Sequence, residues 1–134
     1  MRILVVEDEP PVSAFARRVL EDLGSRVDVV DTASAALEMI QDDSRSYHVV
    51  VLDRVLPDMP GDEVAFEIQA LRPDIAIVLA SGRIRTGRPV CDSWLEKPYG
   101  ADDLVRKVLK ALAVCWRRND RARHAKAQPV TASR

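Results

Sequence analysis

The stretch Val49-Val50-Val51-Leu52-Asp53 is an unbroken apolar run that stops at a carboxylate. A strand with one wet face would alternate apolar and polar residues, whereas a continuous β-branched run is typical of a strand buried on both faces. A second run, Met1-Arg2-Ile3-Leu4-Val5-Val6, stops as abruptly at Glu7 and Asp8. Both runs therefore predict strands inside a parallel sheet that helices cover on its two faces.

Helix and strand patterns alternate along the rest of the chain. Apolar residues recur at spacings of three and four from Val12 to Leu23 and from Ala101 to Trp116, which predicts two amphipathic helices. Shorter patterns predict the other elements: Val27–Val30, Ala33–Ile40 with Thr32 as its cap, Glu63–Leu71, Ile75–Leu79 and a marginal strand near Trp94-Leu95. This order indicates βαβ units and a doubly wound α/β domain with a five-stranded parallel sheet.

Length and composition are those of one ordinary globular domain. The chain has 134 residues, of which 47% are hydrophobic and 31% charged. No apolar run is long enough to span a bilayer and no export signal is visible, so a cytoplasmic protein without a membrane partner is expected. Cys91 and Cys115 lack CxxC spacing and a nearby His pattern, which favours two thiols over a disulfide or a zinc site.

Charge is distributed unevenly along the chain. Residues 117–134 carry six basic side chains and one acidic side chain, a sum of +5 that leaves −6 for residues 1–116. We therefore expect a folded domain over residues 1–116 and a basic C-terminal tail over residues 117–134, which extends the last helix or is disordered. The tail has no recognition motif and no interleaved aromatic residues, so no nucleic-acid partner is expected.

Polar side chains follow the strands at the edge where a doubly wound sheet binds its ligands. Glu7 and Asp8 end the first strand, Asp53 ends the third, Ser81 follows the fourth and Lys97 follows the fifth. Three carboxylates in one pocket repel each other unless a cation neutralises them, and Mg²⁺ prefers such oxygen ligands. We expect Asp8 and Asp53 to bind Mg²⁺ directly, with Glu7 acting directly or through water.

The same group of residues is sufficient for phosphoryl transfer to a carboxylate. That reaction needs mainly positioning and charge neutralisation, which a metal, a lysine and a hydroxyl can supply. Asp53 would be the nucleophile, and Lys97 and Ser81 would bind phosphoryl oxygens.

Four motifs resemble the receiver domains of two-component response regulators, including the single-domain chemotaxis type. They are Leu4-Val5-Val6-Glu7-Asp8, Val50-Val51-Leu52-Asp53 with Pro57-Asp58-Met59-Pro60-Gly61, Leu79-Ala80-Ser81-Gly82, and Lys97-Pro98. Each motif alone is weak, but the four in this order and spacing are specific, and the match runs from Ile3 to about Trp116. The resemblance implies the flavodoxin-like receiver fold.

The resemblance also implies a role for each site residue. Asp53 would accept a phosphoryl group from the phosphohistidine of a histidine kinase or a histidine phosphotransfer protein. Mg²⁺ would be held by Glu7, Asp8, Asp53 and the backbone carbonyl of Val55, while Ser81 and Lys97 would bind the phosphoryl group. The chain would then be a signalling module that catalyses only its own phosphorylation and dephosphorylation at Asp53.

Switching in the resembling family involves a hydroxyl residue and an aromatic residue, which correspond here to Ser81 and Trp94. Their movement would change a face that binds a downstream protein target. For Trp94, a purely structural role in the core remains open. Two positions that tune the phosphoryl lifetime in the family correspond to Val55 and Arg83.

One segment departs from the family pattern. Only fifteen residues separate Ser81 from Lys97, which predicts a shortened fourth helix or a loop in its place. Arg83, Arg85 and Arg88 lie in this segment, either as solvated surface or as a docking element.

Two other functions remain open. The chain could be a phosphorylation-independent protein-interaction module on the same fold, which would use residues 82–90 or the tail. It could also be a phosphohydrolase with an aspartate nucleophile, although it has no cap domain to enclose a substrate.

Overall fold

A computed structural model describes residues 1–82 and 90–127. For residues 126 and 127 it describes the backbone alone. The strands are β1 (Arg2–Val6), β2 (Arg26–Val30), β3 (Val49–Asp53), β4 (Ala76–Ser81) and β5 (Ser93–Glu96). The helices are α1 (Pro10–Asp22), α2 (Ala33–Gln41), α3 (Gly61–Leu71) and α4 (Ala101–Ala127). The five strands form one parallel sheet in the order β2-β1-β3-β4-β5, which confirms the predicted doubly wound fold.

The central strands are buried on both faces, which explains their unbroken apolar runs. Val50 and Leu52 of β3 face the layer formed by α2 and α3. Val49 and Val51 of the same strand face the layer formed by α1 and α4. Because successive side chains of a strand point to opposite faces, one continuous run contributes to two hydrophobic cores.

Helix α2 begins where the sequence predicts. The hydroxyl of Thr32 accepts a hydrogen bond from the backbone N–H of Ala35 at 3.1 Å, as an N-cap residue does. This cap satisfies one of the N–H groups that the first turn of a helix leaves without an intrahelical partner.

Helix α4 packs through a stripe that contains small side chains as well as large apolar ones. Its buried residues are Leu104, Val108, Ala111 and Cys115, whereas Trp116 is 73% exposed. Trp116, the last residue of the predicted periodic run, therefore lies outside the packed face. Large apolar residues dominate a sequence pattern, but small Ala111 and Cys115 are the ones placed against the sheet.

Helix α4 also continues past Trp116 and is anchored beyond it. The guanidinium of Arg118 donates to the buried carboxylate of Asp92 and, at 3.0 Å, to the carbonyl of Pro73. The other oxygen of Asp92 accepts from the N–H of Ile77 at 2.8 Å. The division into a domain over 1–116 and a tail over 117–134 stays a prediction, and residues 128–134 lie outside the described part.

The connection from β4 to β5 is described only at its ends. Arg83, Arg85 and Arg88 fall in residues 83–89, outside the described residues. The described parts of this connection, Gly82 and residues 90–92, contain no helix.

In the ranges that the structure covers, no helix has the length and hydrophobicity needed to cross a bilayer. Cys115 is buried and Cys91 is partly buried, and neither is in a disulfide.

Candidate functional site

The carboxyl ends of the strands bring the predicted site residues together. Because β3 pairs with β1 and β4, and β4 with β5, the ends of four strands lie side by side along one edge of the sheet. A cleft of about 730 Å³ opens there. Five predicted residues line it: Asp8, Asp53, Val55, Ser81 and Lys97. Glu7 is 5% exposed and is not one of the residues that line the cleft.

Lys97 connects the carboxylates of two strands. Its Nζ lies 2.8 Å from Oε1 of Glu7 and 3.3 Å from Oδ2 of Asp53. Partial burial lowers the pKa of Lys97, but the two carboxylates outweigh that effect and raise its pKa above the ordinary value. The ammonium group is therefore charged at neutral pH and balances part of the negative charge.

Glu7 is held in an environment that disfavours its charge. Burial raises the pKa of Glu7 from 4.5 to about 7; the hydrogen bond from Lys97 opposes this rise, and the neighbouring Asp53 adds to it. The backbone N–H of Glu9 donates to Oε2 of Glu7 at 3.2 Å. One lysine thus does not fully compensate for the negative charge at this edge.

The acidic cluster fits a hard divalent cation. Glu7, Asp8 and Asp53 each offer a carboxylate oxygen, and these three oxygens lie within 4.8 Å of one another. Mg²⁺ takes oxygen ligands and is commonly held by one or two carboxylates together with water and phosphate oxygens. The cluster could therefore bind a metal ion, as the sequence predicts.

The loop after Asp53 folds back tightly on the end of β3. The N–H of Val55 donates to Oδ1 of Asp53 at 3.2 Å, and the N–H of Gly61 donates to the carbonyl of Arg54 at 2.7 Å. Val55 is 66% exposed on the rim of the cleft. The role predicted for its carbonyl as a metal ligand stays a prediction.

Trp94 is not part of the cleft. Its side chain is buried in the core layer beside α2 and α3. The guanidinium of Arg54 lies over its ring, 5.4 Å from the ring centroid. The structure thus places Trp94 in the core beside Arg54, the residue that follows Asp53, and its switch role stays a prediction.

An apolar wall of the cleft was missed by the sequence analysis. Its residues are Pro11, Val12, Phe15, Pro98 and Tyr99. The rings of Phe15 and Tyr99 are 6.1 Å apart, and the Lys97–Pro98 peptide bond is cis. Burial raises the pKa of Tyr99 to about 12, so its phenol is neutral at physiological pH. Phe15 falls within the amphipathic helix predicted from Val12 to Leu23, and no local pattern marks Tyr99 as a cleft residue.

Removing the carboxyl group of Glu7 is expected to change how stability depends on pH in metal-free protein. The pKa of Glu7 is raised in the folded state, so its contribution to the free energy of unfolding is complete below about pH 4.5 and is lost as the pH rises through about 7. Glu7→Gln cannot titrate. The free energy of unfolding of wild type, measured relative to that of Glu7→Gln, should therefore fall by roughly 3 kcal/mol as the pH rises through this range. Urea unfolding of both proteins in EDTA would measure this, and parallel pH profiles would contradict it.

Comparison with known proteins agrees with this geometry. The family model of the response regulator receiver domain matches residues 3–110. The chain is a response regulator receiver domain. It is 33% identical over 119 residues to the transcriptional regulatory protein TcrA of Mycobacterium tuberculosis, covering 84% of this chain and 46% of TcrA. It is 30% identical over 117 residues to the response regulator receiver protein CpdR of Brucella abortus, covering 83% of this chain and 96% of CpdR.

A solved receiver structure has the same fold. The response regulator protein TrrA from Thermotoga maritima, in complex with Mg²⁺-BeF, superposes with a TM-score of 0.74 at 32% identity, covering 83% of this chain and 98% of TrrA. This receiver domain therefore belongs to two-component signal transduction, in which receivers interact with histidine kinases or phosphotransfer proteins. It spans about half the length of TcrA.

Proposed function

We propose that Asp53 of this receiver domain accepts a phosphoryl group from a phosphohistidine donor in a Mg²⁺-dependent reaction. The observation that carries the proposal is that Asp53 is a buried carboxylate that both lines the cleft and lies 3.3 Å from Lys97. Glu9 also lines the cleft, but its side chain is 65% exposed and its carboxylate is 3.9 Å from Lys97. Glu7 contacts Lys97 but does not line the cleft, and Asp8 lines the cleft without an ion pair to Lys97 among the described residues. A donor in the cleft reaches Asp53 beside a fixed positive charge.

Each residue around Asp53 has a separate role in the proposed reaction. One carboxylate oxygen of Asp53 forms a bond to phosphorus as the bond from phosphorus to the donor imidazole breaks, and the imidazole takes up a proton. Lys97 and Ser81 line the same cleft and bind oxygens of the transferred group. Mg²⁺, held by Glu7, Asp8, Asp53 and the carbonyl of Val55, would neutralise negative charge on the phosphoryl oxygens. Water then hydrolyses the acyl phosphate, so the domain acts only on itself.

The apolar wall suits a protein donor. The imidazole of a kinase or phosphotransfer protein must come within bonding distance of Asp53, so the surface around that imidazole must contact the cleft rim. Pro11, Val12, Phe15, Pro98 and Tyr99 form an apolar rim beside the acidic centre. We propose that the domain meets such a donor in the cytoplasm.

Phosphorylation would alter a protein-binding surface through Ser81 and Trp94. Ser81 ends β4 in the cleft, and Trp94 lies on β5, where Leu79 of β4 pairs with it. Movement of Ser81 toward the phosphoryl group would change the packing around Trp94 and the Arg54 guanidinium over its ring. The proposed output is contact with a downstream protein target.

The experiment that tests the proposal is a measurement of intact mass. The full chain is incubated with a small-molecule phosphodonor, with Mg²⁺ or with EDTA. We expect a gain of one phosphoryl group that depends on Mg²⁺, and peptide mapping should locate it on Asp53. Absence of any gain would contradict the proposal and favour a phosphorylation-independent interaction module on the same fold.

Replacing Lys97 should separate metal binding from phosphoryl transfer. Lys97→Met removes the positive charge beside Glu7 and Asp53, so Mg²⁺ affinity should be retained or increased, while the phosphorylation rate should fall by about 100-fold or more. The matched control is Lys110→Met, which removes an exposed charge of α4. Calorimetric Mg²⁺ titration and the mass assay measure the two effects, and a loss of Mg²⁺ affinity would contradict the charge argument.

A further inference from the structure

The N-terminus of α2 is capped from two different parts of the chain. Thr32 accepts from the N–H of Ala35, as described above. Asp58, in the loop between β3 and α3, accepts from the N–H of Ala33 at 2.8 Å with Oδ1 and from the N–H of Ser34 at 3.0 Å with Oδ2. Both oxygens of Asp58 are therefore used by a helix that lies 24 and 25 residues earlier in the sequence.

We infer that Asp58 is a positioning residue that holds the β3–α3 loop, and Val55 with it, in the geometry used by the site at Asp53. The inference rests on the proposed function, because Val55 is proposed there as a metal ligand. Residues 54–60 connect the phosphoacceptor strand to α3, so any displacement of this loop moves Val55 relative to Asp53.

The contacts of this loop show why Asp58 is needed in addition to its other anchors. Leu56 is buried, and this burial holds the loop against the core. Because hydrophobic burial is not directional, it does not fix the orientation of the loop. The hydrogen bonds of Val55 and Gly61 join the loop to Asp53 and Arg54, which belong to the same segment of chain. The N–H of Arg54 donates to the carbonyl of Ala80 in β4 at 2.8 Å, which fixes the start of the loop but not the part around Asp58. The two hydrogen bonds of Asp58 are directional and tie the loop to a separate helix.

Electrostatics favours this contact. The N-terminus of a helix carries a partial positive charge and unpaired N–H groups, so a carboxylate placed there is stabilised. The N–H groups of Ala33 and Ser34 hold the pKa of Asp58 below its usual range. Asp58 therefore stays ionised and keeps both hydrogen bonds at neutral pH, and it lies outside the group of carboxylates that could bind the metal.

Thr32 provides a matched control because its hydroxyl caps the same helix through Ala35 and, among the described residues, forms no hydrogen bond with the loop. Asp58→Ala and Thr32→Ala both remove N-terminal hydrogen bonds of α2, and both should lower stability. Only Asp58→Ala should loosen the loop. Asp58→Asn keeps one acceptor oxygen and should give an intermediate result.

The first measurement is amide hydrogen exchange in the metal-free full chain. We expect the amides of Val55 and Gly61 to exchange at least about fivefold faster in Asp58→Ala than in Thr32→Ala. Equal exchange at these two amides in both variants would overturn the inference. Because this measurement needs neither metal nor phosphate, its outcome does not depend on the proposed function.

The second measurement is a titration of the same proteins with Mg²⁺ alone. Asp58→Ala should weaken Mg²⁺ binding by about fivefold, whereas Thr32→Ala should leave it within about twofold of wild type. Equal weakening in both variants would mean that loss of α2 stability, and not loop position, is responsible, which would overturn the inference. If wild type itself does not bind Mg²⁺, the proposed function fails, and the exchange result alone decides the role of Asp58.

Discussion

Asp53→Asn is expected to abolish Mg²⁺-dependent phosphoryl incorporation, with at least about a 100-fold loss relative to wild type. An amide has nearly the shape of a carboxylate but cannot attack phosphorus as an anion. Asp53 is buried to 5% exposure and sits at the end of β3 with a hydrogen bond from Val55 and an ion pair to Lys97. Intact-mass measurement after incubation with a phosphodonor would report the loss.

The control for this variant is another aspartate at the same edge of the sheet. Asp31 directly follows β2 and is exposed, so Asp31→Asn makes the same chemical change away from Lys97. Its phosphoryl incorporation should equal that of wild type. Stoichiometric incorporation in Asp53→Asn would show that another residue is the acceptor. A circular dichroism spectrum matching wild type would establish that the variant is folded.

Gly61→Ala is expected to destabilise the protein by about 3 kcal/mol or more. A Cβ atom at this position would lie 2.2 Å from the carbonyl oxygen of Asp53 and 2.6 Å from the Cα of Arg54. Both atoms are backbone, so no flexible side chain can move to make room. The end of β3 or the start of α3 must shift instead, which would displace the phosphoacceptor. Urea unfolding would measure the loss.

A second glycine gives the comparison for this prediction. Gly24 has a φ of +89°, and a Cβ added there would meet nothing within 4 Å. Gly24→Ala should therefore cost only the strain of a left-handed backbone, about 1 kcal/mol. If Gly61→Ala is no more destabilising than Gly24→Ala, the close approach of α3 to the end of β3 is less rigid than the structure indicates.

Sequence alone determined the sheet and the candidate chemistry. Continuous apolar runs are produced by strands buried on both faces, so Val49–Leu52 could be recognised without knowing its neighbours. Because parallel strands end at one edge, Asp8, Asp53, Ser81 and Lys97 could be expected to meet before any distance was known. Local chemistry also marked Thr32 as a helix cap.

Only the tertiary structure decided which residues complete that edge and which face of a helix is covered. Trp116 fits the apolar period of α4 but is exposed, because packing selects the small side chains of Ala111 and Cys115. Tyr99 becomes a cleft wall and Asp58 becomes a cap for α2 through contacts with distant segments. Sequence patterns report the local period of a chain and its capping residues. The contact between Asp58 and α2 joins segments 24 or more residues apart, so it depends on how the helices and strands pack.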